Sequence, residues 1–225
     1  MFDLFLQADS TAAAQAGAVA TESLWSLLSK GGPIMIPLGI LFAMMIYFFI
    51  ERWLIIRKAL DLQEQFMSGI RENILIGNIS AARSMAKSNP NPIARIIDKG
   101  LQRIGKPIDA IERSMENVGR LEMYKLEKNL SVLSVVSRIA PLFGFIGTIV
   151  GLVLLLKEFA TISNPSVSQI ADAMYIKLIT SASGLVIGML AYLGYSFLNT
   201  QINRTANRME AASSDFIDIL QEPIK

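Results

Sequence analysis

Three long apolar stretches dominate the pattern of hydrophobic and polar positions along the chain. They cover residues 34–50, 139–156 and 178–198, and charged residues are frequent between the first and the second. Each is close to the roughly 20 residues that a tilted helix needs to cross the hydrocarbon core of a bilayer. The pattern therefore predicts an all-α integral membrane protein with transmembrane helices over residues 34–50, 138–157 and 177–198.

The polar segments are also predicted to be helical. Residues 51–137 contain two helix breaks, Asn-Pro-Asn-Pro at 89–92 and Gly-Lys-Pro at 105–107, because the residue before a proline is disfavoured in the α conformation. Beyond the second break, apolar residues recur at helical spacing: Ile108, Ile111, Met115 and Val118. No proline or turn motif follows before residue 130, so the second transmembrane helix is predicted to continue into this segment as one long helix.

The tail, residues 199–225, is predicted to be a polar helix with one apolar side. That side is formed by Ile202, Met209, Phe216 and Ile219.

Basic residues are distributed very unevenly. Fourteen of the 21 lie between the first two spans: Arg52, Arg57, Lys58, Arg71, Arg83, Lys87, Arg95, Lys99, Arg103, Lys106, Arg113, Arg120, Lys125 and Lys128. The positive-inside rule then places residues 51–137 and 199–225 in the cytoplasm. Residues 1–33 and the loop 158–176 are expected on the periplasmic side. The N-terminus carries Asp3 where a signal peptide has positive charge, so we expect it to be retained.

Composition excludes several classes of function. The chain is 52% hydrophobic with a mean hydropathy of +0.44, and it has no cysteine and no histidine. Thiol chemistry, imidazole catalysis and most transition-metal sites are thereby excluded. No nucleophile-base pair or phosphate-binding loop is present, so we expect no catalytic residue, metal or cofactor. Nine acidic residues alternate with the basic ones between residues 52 and 128, which indicates solvated helix faces rather than a nucleic-acid site. Anionic lipid contacts are expected near Arg52, Arg57 and Lys58.

Small and hydroxyl-bearing residues form a stripe on each of the last two spans, because helical residues three and four apart share a face. Larger apolar side chains are expected to turn away from both stripes. The first stripe contains Pro141, Gly144, Thr148 and Gly151, with Gly147 beside it, and the second contains Lys177, Thr180, Ser181, Gly184, Gly188 and Ala191.

Two interpretations of the stripes are open. Small residues at four-residue spacing allow close helix packing. Two polar stripes also suit the wall of a cavity or pathway. Proton pathways usually contain an ionisable residue, yet neither span has an Asp or Glu within it. If protons move here, the titrating carboxylate must come from another chain.

Three motifs resemble the MotA/TolQ/ExbB proton-channel family, most closely its ExbB members. They are SKGGPIMIPLGILFAMMIYFFIERW at 29–53, RIAPLFGFIGTIVGL at 138–152 and KLITSASGLVIG at 177–188. The second is the most specific, since it approaches the family pattern A-P-L-L-G-L-L-G-T-V-x-G. The chain departs from the family at Ile176 and Leu190, where many members have Glu and Pro.

The resemblance implies a homopentameric ring in the bacterial inner membrane around a single-pass ExbD- or TolR-like partner with a membrane aspartate. Protons would be the coupling ion, and the proton motive force would drive work on a TonB- or TolA-like protein. By position, Thr148, Thr180 and Ser181 would line the proton pathway, with Lys177 near its mouth. A TolQ-like subunit and a non-conducting scaffold are the alternatives.

Overall fold

The computed structural model describes residues 33–60, 65–161 and 166–222, and it is helical. Almost all of the predicted N-terminal segment 1–33, and part of the loop 158–176, lie outside the described residues. Within the described ranges the helices are α1 (Met35–Leu60), α2 (Gln65–Leu75), α3 (Ile79–Ser88), α4 (Pro92–Leu101), α5 (Ile108–Glu127), α6 (Leu130–Phe159) and α7 (Val167–Gln221).

Three of the described helices, α1, α6 and α7, are long and apolar enough to cross a membrane. Large apolar side chains on them are exposed, including Leu142, Phe145 and Met189 at 59%, 59% and 62%. Such surface is stable against lipid or another apolar partner and costly in water. These observations confirm the prediction of an all-α, multi-pass membrane protein, while the orientation of its termini stays a prediction.

The chain divides into two compact units, and α1, α6 and α7 contribute to both. The first unit comprises Met1–Met44 and Val136–Leu190, and within its described residues α6 packs on the N-terminal part of α7. The second unit comprises Met45–Val135 and Ala191–Lys225 and contains α2 to α5.

The second unit has a conventional hydrophobic core. One cluster joins the short helices to the end of α7, around Ile70, Ile97, Met115 and Phe216. Another joins α1, α5, α6 and α7 around Ile56, Leu126, Leu133, Leu198 and Ile202. The predicted apolar side of the tail is confirmed, because all four of its residues are buried: Ile202, Met209, Phe216 and Ile219.

The two predicted helix breaks are confirmed. Helix α3 ends at Ser88, and α4 begins at Pro92 with Asn91 as its N-cap. The Asn91 Oδ1 atom accepts the backbone N–H of Ile93 at 2.9 Å, while proline suits the first helical position because it needs no donor there. Helix α5 likewise begins at Ile108, directly after Pro107.

A further break went unpredicted between α2 and α3. Gly77 has a φ of +76°, which glycine adopts at little cost, and the chain reverses there. Asn78 then caps α3, with its side-chain oxygen 3.2 Å from the backbone nitrogen of Ala81. The Gly-Asn pair was the available signal for this turn.

The second span does continue into this segment, since helical structure extends from Ile108 to Phe159, but the predicted single helix is interrupted once. Helix α5 ends at Glu127 and α6 begins at Leu130, so two residues separate them. Lys128 is extended and Asn129 has a φ of 62°, in the left-handed region that interrupts helical hydrogen bonding. Asparagine is among the residues that tolerate this conformation best, which explains a break without glycine or proline.

Candidate functional site

The stripe residues of α6 and α7 pack directly against each other in the first unit. We refer to this contact as the α6–α7 seam. It consists of Ala140, Pro141, Gly144, Gly147 and Gly151 of α6 and Lys177, Thr180, Ser181, Gly184 and Gly188 of α7.

The helix backbones touch at the centre of the seam. A Cβ atom built on Gly184 would lie 2.6 Å from the carbonyl oxygen of Ala140 and 2.9 Å from the Cα atom of Gly144. A Cβ on Gly144 would in turn lie 3.1 Å from the carbonyl oxygens of Thr180 and Ser181. A side chain at Gly184 would collide with the backbone of α6, and one at Gly144 would be tight against the backbone of α7, so these glycines permit the close helix contact.

Pro141 continues the seam toward the start of α6. Its ring lies over Gly188, where a built Cβ would be 2.5 Å from the proline Cγ. Proline has no N–H and cannot donate to the carbonyl of Ser137, one turn earlier. That carbonyl oxygen lies 3.0 Å from the same built Cβ, so Gly188 accommodates both the proline ring and the Ser137 carbonyl.

The predicted pathway hydroxyls differ in their surroundings. Thr180 is only 2% exposed, and its methyl carbon Cγ2 covers Gly147. Thr148 is half-buried beside the seam, and its Oγ1 donates to the carbonyl oxygen of Gly144 at 3.2 Å. Ser181 is also half-buried. The structure therefore places Gly147, rather than Thr148, under Thr180, and leaves the Thr148 hydroxyl at the edge of the contact.

Lys177 lies at one end of the seam, and the carbon atoms of its side chain cover Gly151. The residue is half-buried. A lysine in this position buries its hydrocarbon stem on the neighbouring helix while its ammonium group can extend toward water.

The described helices supply no acid to the site. Residues 139–156 of α6 and 178–203 of α7 contain no Asp, Glu, Lys, Arg or His. Among the residues that the structure describes, no group of three or more acidic residues could hold a metal ion. Apart from Lys177 at one end, the seam offers hydroxyls and backbone carbonyls in an apolar setting, which can hydrogen-bond a titrating group from elsewhere but cannot themselves titrate near neutral pH.

Residues 88–211 match the sequence profile of the MotA/TolQ/ExbB proton channel family. The matched range includes α4, α5, α6 and most of α7. It covers more than half of the chain. The chain belongs to the MotA/TolQ/ExbB proton channel family.

Similar proteins carry the names ExbB or TolQ. A biopolymer transport protein ExbB homolog of Methanothermobacter thermautotrophicus is 25% identical over 146 residues, which cover 65% of this chain and 52% of the relative. The chain thus spans about half the length of that relative. The Tol-Pal system protein TolQ of Pseudomonas aeruginosa is 23% identical over 227 residues, covering 90% of this chain and 94% of its own. The biopolymer transport protein exbB1 of Vibrio cholerae is 29% identical over 90 residues, 40% of each chain.

A buried arginine lies in the second unit. Arg52 is one of the three basic residues near which anionic lipid contacts are expected, and its own side chain is 3% exposed. Its guanidinium donates to the carbonyl oxygen of Lys125 at 3.2 Å and to Glu51 Oε1 at 2.7 Å. The carbonyl belongs to the last turn of α5, whose final carbonyls have no helical partners, so Arg52 caps that helix from α1. Arg52 lies seven residues after Met45 and four before Ile56, both of which are buried. This helical spacing could have identified Arg52 as a buried residue.

Glu122 is a second buried charge that the solvated-face interpretation missed. It is 4% exposed and accepts hydrogen bonds from Arg95 Nη1 at 2.7 Å and Lys125 Nζ at 2.6 Å. Glu122 lies seven residues after the buried Met115 and four before the buried Leu126. That spacing places it on the core side of α5 and could have identified it.

Proposed function

We propose that this chain is the channel subunit of an ExbB/TolQ-type proton-driven motor, in which Thr148, Thr180 and Ser181 interact with a carboxylate supplied by a partner. The partner would be a single-pass ExbD- or TolR-like protein with an aspartate in its membrane helix. The chain itself would contribute the hydroxyl-bearing wall.

One observation carries this proposal: the half-buried Thr148 lies beside a stretch of the seam that has no ionisable residue. That stretch covers residues 139–156 of α6 and 178–203 of α7. Thr148 bonds its own helix through the hydroxyl hydrogen, so its oxygen retains acceptor capacity. A protonated partner carboxyl could donate to that oxygen. After losing its proton the carboxylate would require a different donor, which gives the site two states.

The proposal extends to assembly and energy use. Five copies would form a ring in the bacterial inner membrane, with the N-terminus periplasmic and the C-terminus cytoplasmic. Protons would drive work on a TonB-like protein for transport across the outer membrane. Exposed Arg57, which stacks over the Trp53 ring at 5.6 Å, and exposed Lys58 would contact anionic phospholipid at the cytoplasmic face.

A TolQ-like function in a Tol-Pal system is the second candidate. It is supported by the Pseudomonas aeruginosa TolQ, which aligns with 90% of this chain. In this case the energy would reach a TolA-like protein. A non-conducting scaffold is the remaining alternative, since the α6–α7 seam alone accounts for the glycines.

Native mass spectrometry of the tagged complex, purified from its own host membrane, tests the proposal. We expect five copies of the chain with a single-pass protein that carries a membrane aspartate, and the sequence of that protein distinguishes the TonB-type from the TolA-type system. An oligomer without any such protein, reproduced in several mild detergents, would support the scaffold instead.

A further inference from the structure

A long groove lies in the second unit between α5 and the C-terminal part of α7. Its volume is about 780 Å³, and it is open along one side. Apolar side chains form its floor: Ile96, Met115, Met123, Met209 and Ile217. Gly119 lies on the same side of α5 and leaves the middle of the groove unobstructed. Three of the floor residues are methionines, whose flexible side chains adapt to different apolar partners.

The rim of the groove is acidic on both sides. Glu112, Glu116 and Glu127 line it from α5, and Glu210 lines it from α7. Arg120 also lines the groove and pairs with Glu116 at 2.6 Å on the exposed surface. The ion pairs found between described residues do not include Glu112, Glu127 or Glu210. With four glutamates and one arginine in its lining, the groove combines an apolar floor with net negative charge.

We propose that this groove binds a basic amphipathic helix from a partner protein. An apolar stripe of such a helix would cover the methionine floor, and its lysines or arginines would face the glutamates on the two rims. Glu112 and Glu127 are fifteen residues apart on α5, about 22 Å at 1.5 Å per residue, which corresponds to about four turns of a bound helix. This inference is independent of whether the chain conducts protons.

Charge also decides against a symmetric contact between two copies of the groove. In such a dimer the same surface meets itself, so the two glutamate rims would face each other. Like charges at an interface cost free energy that a basic helix would instead gain. In a ring of copies a neighbour would present a different surface to the groove, so capture of a second copy is kept as an outcome of the test. The proposed occupant is a partner segment with positive charge.

Site-specific photo-crosslinking of the full-length protein in its host membrane tests the proposal. The probe is p-benzoylphenylalanine in place of Tyr124, an aromatic residue that lines the groove and is 71% exposed. Leu121 is the matched control position, since it lies on the same helix at 61% exposure but does not line the groove. The cross-linked peptide is sequenced by mass spectrometry.

We expect the Tyr124 probe to capture a segment with several Lys or Arg residues and apolar residues at helical spacing, and the Leu121 probe not to capture it. Capture of a second copy of this chain, of a segment without net positive charge, or of nothing would overturn the proposal.

Two sets of variants test the chemistry of the groove. Combined Glu112→Gln, Glu127→Gln and Glu210→Gln should lower the cross-linking yield at least about tenfold, because rim charges guide and hold a cationic partner. The same number of neutralised acids outside the groove, in Glu72→Gln, Asp109→Asn and Asp218→Asn, should leave the yield unchanged. An unchanged yield in the first set would contradict the proposal.

The second set changes shape without changing charge. Gly119→Trp should fill the groove and abolish the cross-link. Gly119→Ala should retain it, because a Cβ there would be 3.6 Å from Ile96 Cδ1, an ordinary contact. Equal yields from the two variants would show that the captured segment binds elsewhere.

Discussion

The methyl carbon of Thr180 lies over Gly147, where a Cβ atom built on the glycine would be 2.6 Å from it. Thr180 thus contributes its apolar side to the helix contact. The neighbouring Thr148 remains half-buried, with its hydroxyl on the Gly144 carbonyl. On α6 the packing position, Gly147, is therefore followed directly by the candidate pathway position, Thr148. This separation allows the two roles to be tested with different substitutions.

Substitution of Gly184 by alanine should destabilise the protein by about 1–3 kcal/mol, which is typical of overpacking. The new methyl group would meet the carbonyl oxygen of Ala140 at 2.6 Å and the nitrogen of Gly144 at 3.0 Å, and backbone atoms cannot easily move away. Thermal unfolding in detergent measures the effect.

Two further glycines serve as controls for this measurement. Gly39→Ala on α1 should be neutral or slightly stabilising, because no described atom beyond its own helix backbone and chain neighbours lies within 4 Å of the added carbon, and alanine favours helix. Gly151→Ala should have a mild effect, since the three atoms nearest to the added carbon belong to the flexible Lys177 side chain. Equal thermal unfolding midpoints for the Gly184→Ala and Gly39→Ala variants would refute the contact between Gly184 and the backbone of α6.

Neutralising Glu122 should destabilise the second unit by about 1–2 kcal/mol, the cost of leaving charged donors with a weaker buried acceptor. This loss of stability is small for a buried charge, because the partner side chains of Arg95 and Lys125 are partly exposed and their charges are screened by solvent. Glu122→Gln, followed by chemical denaturation in detergent, provides the measurement.

The exposed Glu116–Arg120 pair offers a matched control, because its two residues also lie about one helical turn apart on α5. Glu116→Gln should change the free energy of unfolding by no more than about 0.5 kcal/mol. If both variants lose the same stability, burial of Glu122 has no energetic consequence and the interpretation fails.

The break between α5 and α6 depends on Asn129 in the left-handed conformation. Asn129→Val should cost about 1–2 kcal/mol, because a β-branched residue is strained at a φ of 62°. Asn129→Gly should be close to neutral, since glycine adopts this conformation freely and the hydrogen bond from the Asn129 side chain to Glu51 is long, at 3.5 Å. Thermal unfolding of the two variants gives the comparison. A more stable valine variant would indicate a continuous helix at this point.

Much of the fold follows from the sequence because helical periodicity and proline have strong local effects. The apolar spacing of Ile202, Met209 and Phe216 identified the buried side of the tail, and Pro92 marked the start of α4. The breaks at Gly77 and Asn129 were missed because a left-handed residue occupies a single position and leaves the flanking periodicity intact.

The sequence predicted which residues form the candidate site, but not which of them face each other across the two helices. The glycines of the stripes were identifiable because only small residues permit close helix contact. The opposition of Gly147 to Thr180 depends on the relative rotation of two helices, which sequence spacing does not define. The burial of Arg52 was missed for a related reason, since a charge at the end of a span is usually solvated.

Proton flux into liposomes tests the central claim most directly. The chain is reconstituted alone, with its co-purified single-pass partner, and with that partner as Thr148→Val. Thr200→Val is the matched control, because Thr200 also donates to the carbonyl four residues before it but lies outside the seam. We expect background flux from the chain alone and rapid flux from the complex. Thr148→Val should lower that flux by about tenfold while the complex stays assembled, since leaving the partner's protonated carboxyl without an acceptor costs about 1–3 kcal/mol. Strong flux from the chain alone, or full flux in the assembled Thr148 variant, would contradict the account.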